Sequence, residues 1–476
     1  MGILLRIVVY LQNRSLFLDE ANLARNIADR SFAGLFAPLD HQQYAPPLFL
    51  VLEKLNWLVA GSSEMVLRCW PLIMGCVGLY LVYRLLIDQT GRSVAALIVL
   101  WLFSFSQVYI RYATELKQYG TDMAVSALLI WLTIRYPIGK RWYVWPLVGG
   151  IAVWLSMPSV FILAGIGIYW LIPYYWRKKP DGHFIRIIIT GGIWLLSFGI
   201  YYLLILRHDV GRPALIAYHQ AHFWPLFPTD EEQWQRLQQL SHSLMSTLCG
   251  HTVPALFFGG IGLLSGIRVL WATNKRMILL LLVPVLLCLV ASGLGKYSLM
   301  ERLSLFMMPL LGLLLGIGLH DLWQRAAGWG RGLLVLLFIA VLPLQKGIEY
   351  LIYPLQQEEM RPLLIELDKQ LAEGDRLWID HNARPASTWY TQYDRLEIGQ
   401  IDRANLIFSD WNGVAREEIG GSTFPPGAVW LIFSHLVSDY NRQEMEQDMN
   451  AMKAAYGPYE KEIRYRGVAA FKYRLK

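Results

Sequence analysis

Met277–Gly295 reads MILLLLVPVLLCLVASGLG and contains no Asp, Glu, Lys or Arg. A hydrocarbon core about 30 Å thick needs roughly 20 such residues in a helix, with about 17 as the lower limit. In lipid every backbone N–H and C=O must be satisfied within the segment, so the run is a helix and not a strand. Ser304–Leu319 downstream is equally free of charge. Working outward, further spans are predicted near residues 65–87, 94–110, 119–135, 143–157, 160–176, 184–206, 252–271, 277–295, 303–322 and 331–352. The composition agrees. The 476 residues are 55% hydrophobic and 17% charged, with a mean hydropathy of +0.35, whereas soluble proteins carry about 25% charged residues. The expectation is a polytopic α-helical membrane protein of about 10–12 spans. Met1–Leu11 resembles the tail of a first span too short to cross, which suggests a true start upstream. No cleavable signal peptide is evident.

Orientation follows from Lys and Arg in short loops. With the first loop outward, the inward loops carry Arg84 and Arg92; Arg135, Lys140 and Arg141; Arg177, Lys178, Lys179 and Arg186; Arg268, Lys275 and Arg276; and Arg325 and Arg331. Every alternate loop is basic. The net charge of +7 is therefore a topological signal and not a sign of nucleic-acid binding. On this orientation the C-terminal part is expected on the outer side of the membrane. Cys69, Cys76 and Cys288 fall in predicted spans and Cys249 borders one, so the exported part is no disulfide scaffold.

From about Gln356 the pattern changes to alternating helices and strands: helical Glu358–Ala372, a strand Arg376–Asp380, helical Pro385–Tyr393, strands Asn405–Phe408 and Ala428–Phe433, helical Asp439–Ala455 and a β-like Tyr465–Tyr473. That is a small α/β soluble domain. It lacks a Gly-rich phosphate loop, so no nucleotide is assigned to it. The expected domains are 1–353, in the membrane with outward loops 11–64 and 207–251, and 356–476, outside it.

Candidate chemistry lies in the outward segments. In LDEANLARNIADR (18–30), Leu23, Ala24, Ile27 and Ala28 form an apolar stripe opposite charged residues, as in a helix lying at the membrane surface. Asp19 and Glu20 open it, where a lipid phosphate and a polar acceptor could meet. Equally, Asp19 could simply cap the helix and Glu20 favour its dipole. His41, Tyr44, Pro46 and Pro47 close this loop before an apolar run. The prolines fix a rigid entry to a helix, and His41 is read either as a ligand-facing or as an ordinary loop residue. Arg111, Glu115 and Lys117 crowd the turn Arg111–Gln118 between two spans. Ionisable groups there are costly unless they face a cavity, so the cations suit phosphate; snorkelling anchors are the alternative. Lys296, Tyr297 and Arg302 make the same case late in the bundle, Arg with a bidentate fork and Lys as a point charge. Loop 207–251 holds His208, His219, His222, His242 and His251 with Tyr218, Phe223, Trp224 and Trp234. It reads as a mobile aromatic lid. No recognisable ligand set accompanies the histidines, so no metal is assigned, although a divalent metal stays open.

LDEA, YAPPLFL, RYATELKQYG and KYSLMERLSLFMMP occur in that order on one side of the bundle. Together they resemble the GT-C superfamily of polyprenyl-phosphate-sugar-dependent glycosyltransferases. The nearest likeness is to bacterial protein O-mannosyltransferases, aminoarabinose transferase and lipopolysaccharide galacturonosyltransferases. The resemblance implies a GT-C-like bundle and a polyprenyl-phosphate-linked sugar as donor. It implies Asp19 as general base with Glu20 beside it, and Lys296, Tyr297 and Arg302 at the carrier phosphate. The aminoarabinose branch places a Lys before the prolines; here that position is Ala45. The expected partners are the lipid-linked donor, membrane lipids and a glycan, lipid or protein acceptor. A transporter or a non-catalytic assembly protein of envelope glycan synthesis is the alternative. A transporter would carry midplane charges or an internal repeat, which are not evident in the sequence.

Overall fold

The computed structural model describes residues 1–475 apart from 140, 176–181, 211, 251–252, 340–342, 353–357, 394–395, 397, 402–405 and 409–426. The expected inward cations Lys140, Arg177, Lys178 and Lys179, the histidine His251 and the boundary near 353–356 lie outside the described residues. Helices follow as α1 (Gly2–Leu11), α2 (Leu18–Asp29), α3 (Pro47–Ala60), α4 (Glu64–Thr90), α5 (Val94–Phe105), α6 (Gln107–Arg111), α7 (Tyr119–Arg135), α8 (Val144–Leu155), α9 (Ser159–Tyr175), α10 (Gly182–Tyr201), α11 (Arg207–Val210), α12 (Pro213–His219), α13 (Glu231–Cys249), α14 (Val253–Thr273), α15 (Lys275–Gly293), α16 (Met308–Arg325), α17 (Gly328–Ile339), α18 (Pro343–Ile352), α19 (Met360–Gln370), α20 (Arg384–Gln392) and α21 (Asp439–Tyr456). Among the described residues five helical segments are long and apolar enough to cross a membrane: Glu64–Thr90, Gly182–Leu206, Ala255–Thr273, Lys275–Gly293 and Glu301–Arg325. The protein is a multi-pass membrane protein.

One expected span is corrected. The apolar run 94–110 breaks at Ser106, whose backbone is extended (ψ 126°), into α5 and the short α6. Of the expected span 331–352, residues 331–339 lie in α17 and 343–352 in α18, and residues 340–342 lie outside the described residues.

The chain separates into two compact units: Met1–Leu11, Ser31–Glu53 and Arg68–Ile352 form one, and Gln12–Arg30, Lys54–Leu67 and Tyr353–Lys476 the other. Composition assigned the whole of loop 11–64 to the membrane part, whereas contacts draw two of its segments to the tail.

In the first unit, α14 and α16 approach closely because glycines face each other. A Cβ on Gly318 would stand 1.8 Å from the Gly262 carbonyl oxygen, the small-residue packing that membrane helices favour. Asp321 ties the ends of these helices, accepting from Ser265 Oγ (2.9 Å) and pairing with Arg268 (2.5 Å) and Arg325 (3.0 Å). Loop 207–251, expected as an aromatic lid, is described apart from residues 211 and 251. It folds into α11, α12, a 3-10 turn at Gln220–His222 and α13, the last capped by Asp230. The Leu299 amide donates to the His222 carbonyl (2.9 Å), the Trp224 amide to Ser292 Oγ (2.9 Å) and the Tyr109 hydroxyl to the Thr247 carbonyl (2.9 Å).

The second unit carries a five-stranded sheet of order β2-β1-β3-β5-β4, with β1 Arg376–Ile379, β2 Leu406–Phe408, β3 Gly427–Phe433, β4 Lys461–Tyr465 and β5 Val468–Leu475. β2, β1 and β3 are parallel; β5 and β4 are antiparallel. The single β-like segment expected at the C-terminus is the β4–β5 hairpin, turning at Arg466 and Gly467 (φ +73°). Trp378, Leu431, Phe433, Met445, Met452 and Phe471 form its core. α2 packs on α20. Leu23, Ala24 and Ile27, the stripe expected to rest on lipid, are buried by protein instead. Lys54 caps the far end of α2, its Nζ donating to the Ile27 carbonyl at 2.7 Å, where a cation suits the helix dipole.

Candidate active site

In the first unit the turn between α6 and α7 meets the turn before α16. Arg111 Nε lies 2.7 Å from Glu115 Oε1, one helical turn along. The Arg111 guanidinium sits 5.3 Å over the Tyr112 ring, Tyr112 packs edge-on against Tyr119 at 5.2 Å, and Arg302 lies 5.9 Å over Tyr119. Two expected cations from distant parts of the sequence thus flank one tyrosine pair. A cation over an aromatic face keeps its full charge.

Lys117 is buried and donates to Gln43 Oε1 at 3.0 Å, while Gln118 Nε2 reaches the Tyr44 carbonyl at 3.4 Å. These bonds hold the first-loop motif against the Arg111–Gln118 turn. The Tyr44 hydroxyl is hydrogen-bonded to the Tyr201 hydroxyl. His41 and Gln42 both have left-handed backbones (φ +58° and +55°), which non-glycine residues adopt only where their surroundings hold them. That kink turns Gln43 inward and leaves His41 exposed.

In the late turn, Lys296 is exposed and Tyr297 buried. The Tyr297 hydroxyl donates to the Leu303 carbonyl at 2.8 Å, and its ring meets Phe161 edge-on at 5.4 Å. This hydroxyl builds its own turn. Arg302 reaches the Tyr218 hydroxyl at 3.4 Å. Burial, the Arg302 charge and His222 together hold His219 down to about 4, and burial followed by Arg302 lowers His222 as well. Both imidazoles are thus neutral near pH 7, and the buried Nδ1 of each has no hydrogen-bond partner. Together with Arg302 and Tyr218 they offer an anion polar groups without further charge. Within α7, Asp122 is buried and its Oδ1 has no hydrogen-bond partner.

In the second unit Asp19 is half-buried in the first turn of α2, whereas Glu20 is 1% exposed with Oε2 3.5 Å from the Phe17 amide. Glu20 faces the start of its own helix, so Asp19 is the accessible member of the pair. The Leu18 amide donates to Glu358 Oε2 at 2.8 Å, and Glu358 Oε1 lies 2.5 Å from His435 Nδ1. Sequence reasoning singled out neither Glu358 nor His435. It also passed over Gln43, Tyr112, Tyr119 and Tyr201, although Tyr112 and Tyr119 stand inside a quoted motif. Among the described residues no three His, Cys, Asp or Glu gather as metal ligands.

No protein-family model matches the chain, and no curated protein matches it in sequence. Solved structures do match. ArnT from Cupriavidus metallidurans in the apo state superposes with a TM-score of 0.53 at 12% identity, over 98% of this chain and 96% of that one. The structure of the same protein bound to undecaprenyl phosphate gives 0.55 at 13% identity, over 99% and 97%. The likeness covers the bundle and the tail alike, and the chain shares the fold of that protein.

Proposed function

We propose that this chain is an integral-membrane glycosyltransferase that takes a sugar from a polyprenyl-phosphate carrier and passes it to a hydroxyl acceptor on the outer side of the cytoplasmic membrane. The observation that carries this reading is the placement of Arg111 and Arg302 across Tyr112 and Tyr119. It occurs in a fold shared with a protein solved with undecaprenyl phosphate bound. The reading gives the bundle cations the leaving group. Arg111, Lys117 and Arg302 would offset the charge on the phosphate, with Lys296 as an outer contact, so that no strong general acid is needed. Tyr44 and Glu115 order the surrounding turns. Asp19 is assigned proton removal, with Glu20 holding the start of its helix. The acceptor oxygen attacks the anomeric carbon, the bond from that carbon to the phosphate oxygen breaks with its electron pair, and the hydroxyl proton passes to Asp19. A single displacement inverts the anomeric centre.

The test is purified protein incubated with a panel of polyprenyl-phosphate sugars and hydroxyl acceptors from glycan, lipid and protein classes. Release of free polyprenyl phosphate together with an inverted glycoside is expected from one combination. Sugar or lipid crossing a vesicle membrane with no bond broken would contradict the reading and favour a transporter.

A further inference from the structure

Helix α2 has little capping of its own, since its Glu20 reaches only the Phe17 amide, at 3.5 Å. Its N-cap position is Phe17, which has no side-chain acceptor, and the first amides of a helix lack intrahelical partners. The tail supplies the partners. Glu358 accepts from the Leu18 amide at 2.8 Å and the Tyr390 hydroxyl from the Leu16 amide at 2.8 Å, while Arg361 Nη2 donates to the Asn13 carbonyl. Each clamping side chain is itself held. Buried Glu64 takes the Tyr390 hydroxyl at 2.8 Å and Arg361 at 2.9 Å, and fully buried Glu358 takes His435 Nδ1 at 2.5 Å. His435 follows β3, at the carboxyl edge of the parallel strands where α/β sheets place functional side chains. Its backbone is left-handed (φ +61°), held by Leu436 N–H to the Gly467 carbonyl (3.1 Å) and Asn441 Nδ2 to the His435 carbonyl (3.0 Å). A strained non-glycine residue at such an edge persists where its side chain must be aimed, and here it is aimed at Glu358.

We infer that Glu358 and His435 are positioning residues for Asp19: the tail domain grips the backbone immediately before the acid and so fixes where its carboxylate stands. This rests on the proposed role of Asp19, and it gives the C-terminal domain a part in the transfer step itself. Misplacing a catalytic group by about 1 Å costs on the order of a hundredfold in rate, whereas donor binding does not depend on this clamp.

The experiment uses the full chain in nanodiscs with Glu358→Leu, Glu358→Gln and His435→Ala, read by single-turnover transfer, undecaprenyl phosphate affinity and hydrogen exchange across Asn13–Asn22. Glu358→Leu should lower turnover on the order of a hundredfold, leave carrier affinity unchanged and speed exchange at Leu18. Glu358→Gln, whose amide oxygen still accepts from Leu18, should restore most of the rate. His435→Ala, which leaves the Leu18 acceptor in place, should slow turnover in the same direction and covers the case in which Glu358→Leu does not fold. Unchanged exchange at Leu18, full turnover in both disruptive variants, or equal losses in turnover and carrier affinity would overturn the inference. Wild-type protein that transfers from no carrier would overturn the functional reading first, and the exchange data would still decide whether the clamp exists.

Discussion

Replacing Arg302 with Ala removes one of the two cations flanking the Tyr112–Tyr119 pair. A charge-assisted hydrogen bond to phosphate contributes about 1.5–3 kcal/mol. At about 1.4 kcal/mol per factor of ten, carrier binding should weaken roughly ten- to a hundredfold. Within the protein Arg302 gives up less. Its bond to Tyr218 is long at 3.4 Å, and its place 5.9 Å above Tyr119 contributes only about 0.5–1 kcal/mol at a part-exposed site. Folding should therefore survive. Arg302→Lys keeps the charge but not the fork and should recover part of the affinity. The substitution also has a local signature. Burial is the largest cause of the lowered His219 value and the Arg302 charge the next, so His219 should rise from about 4 yet stay below its ordinary 6.5. The assay is calorimetric binding of undecaprenyl phosphate and of undecaprenol to wild-type and variant protein, with His219 titrated by NMR. Equal loss of both lipids, or no loss of the phosphate, would refute the assignment of Arg302 to the carrier headgroup.

Three further outcomes follow from the packing. Glu64→Ala leaves Arg361 without its carboxylate and Tyr390 without its acceptor. It should destabilise the tail-containing unit by about 3 kcal/mol, the lower end for breaking a buried pair because Arg361 is partly exposed, seen as a lower Tm and earlier proteolysis of the tail. Gly318→Ala forces a methyl group onto the Gly262 carbonyl and should cost about 1–3 kcal/mol, read as reduced thermal stability in detergent. His435 is raised above its ordinary 6.5, first by its hydrogen bond to Glu358, and burial raises Glu358. Both bind their protons more tightly folded than unfolded. The His435 contribution is complete below pH 6.5 and fades as pH rises through its raised value, so the Tm of this unit should fall on the alkaline side, and His435→Gln should flatten the profile.

Membrane spans were legible because lipid leaves the backbone few choices: an uncharged run such as Met277–Gly295 can only be helix. The break was less so. Ser106 interrupts a run whose hydropathy continues through it, and hydropathy carries no dihedral information. The site was half legible. Arg111, Lys117 and Arg302 announced themselves as charges beside apolar spans, and the convergence of Arg111 and Arg302 on Tyr112 and Tyr119 is a tertiary fact that no local pattern encodes. Tyr297 was assigned to phosphate on residue type, yet its hydroxyl is bonded to the Leu303 carbonyl. Glu358, and His435 through it, were invisible for a plainer reason: the partner of Glu358, the Leu18 amide, lies more than three hundred positions upstream (|i−j| = 340). The same separation explains why composition drew a domain boundary by chain order where contacts group residues 12–30 and 54–67 with the tail.

The most direct measurement is single-turnover release of polyprenyl phosphate from a bound polyprenyl-phosphate sugar, comparing wild-type protein with Asp19→Asn at equal donor occupancy. The wild-type protein should release one carrier for each glycoside formed, while Asp19→Asn should bind the donor and release none. Equal release by both would contradict the assignment of the acceptor proton to Asp19, and release by neither from any donor would contradict the glycosyltransferase reading itself.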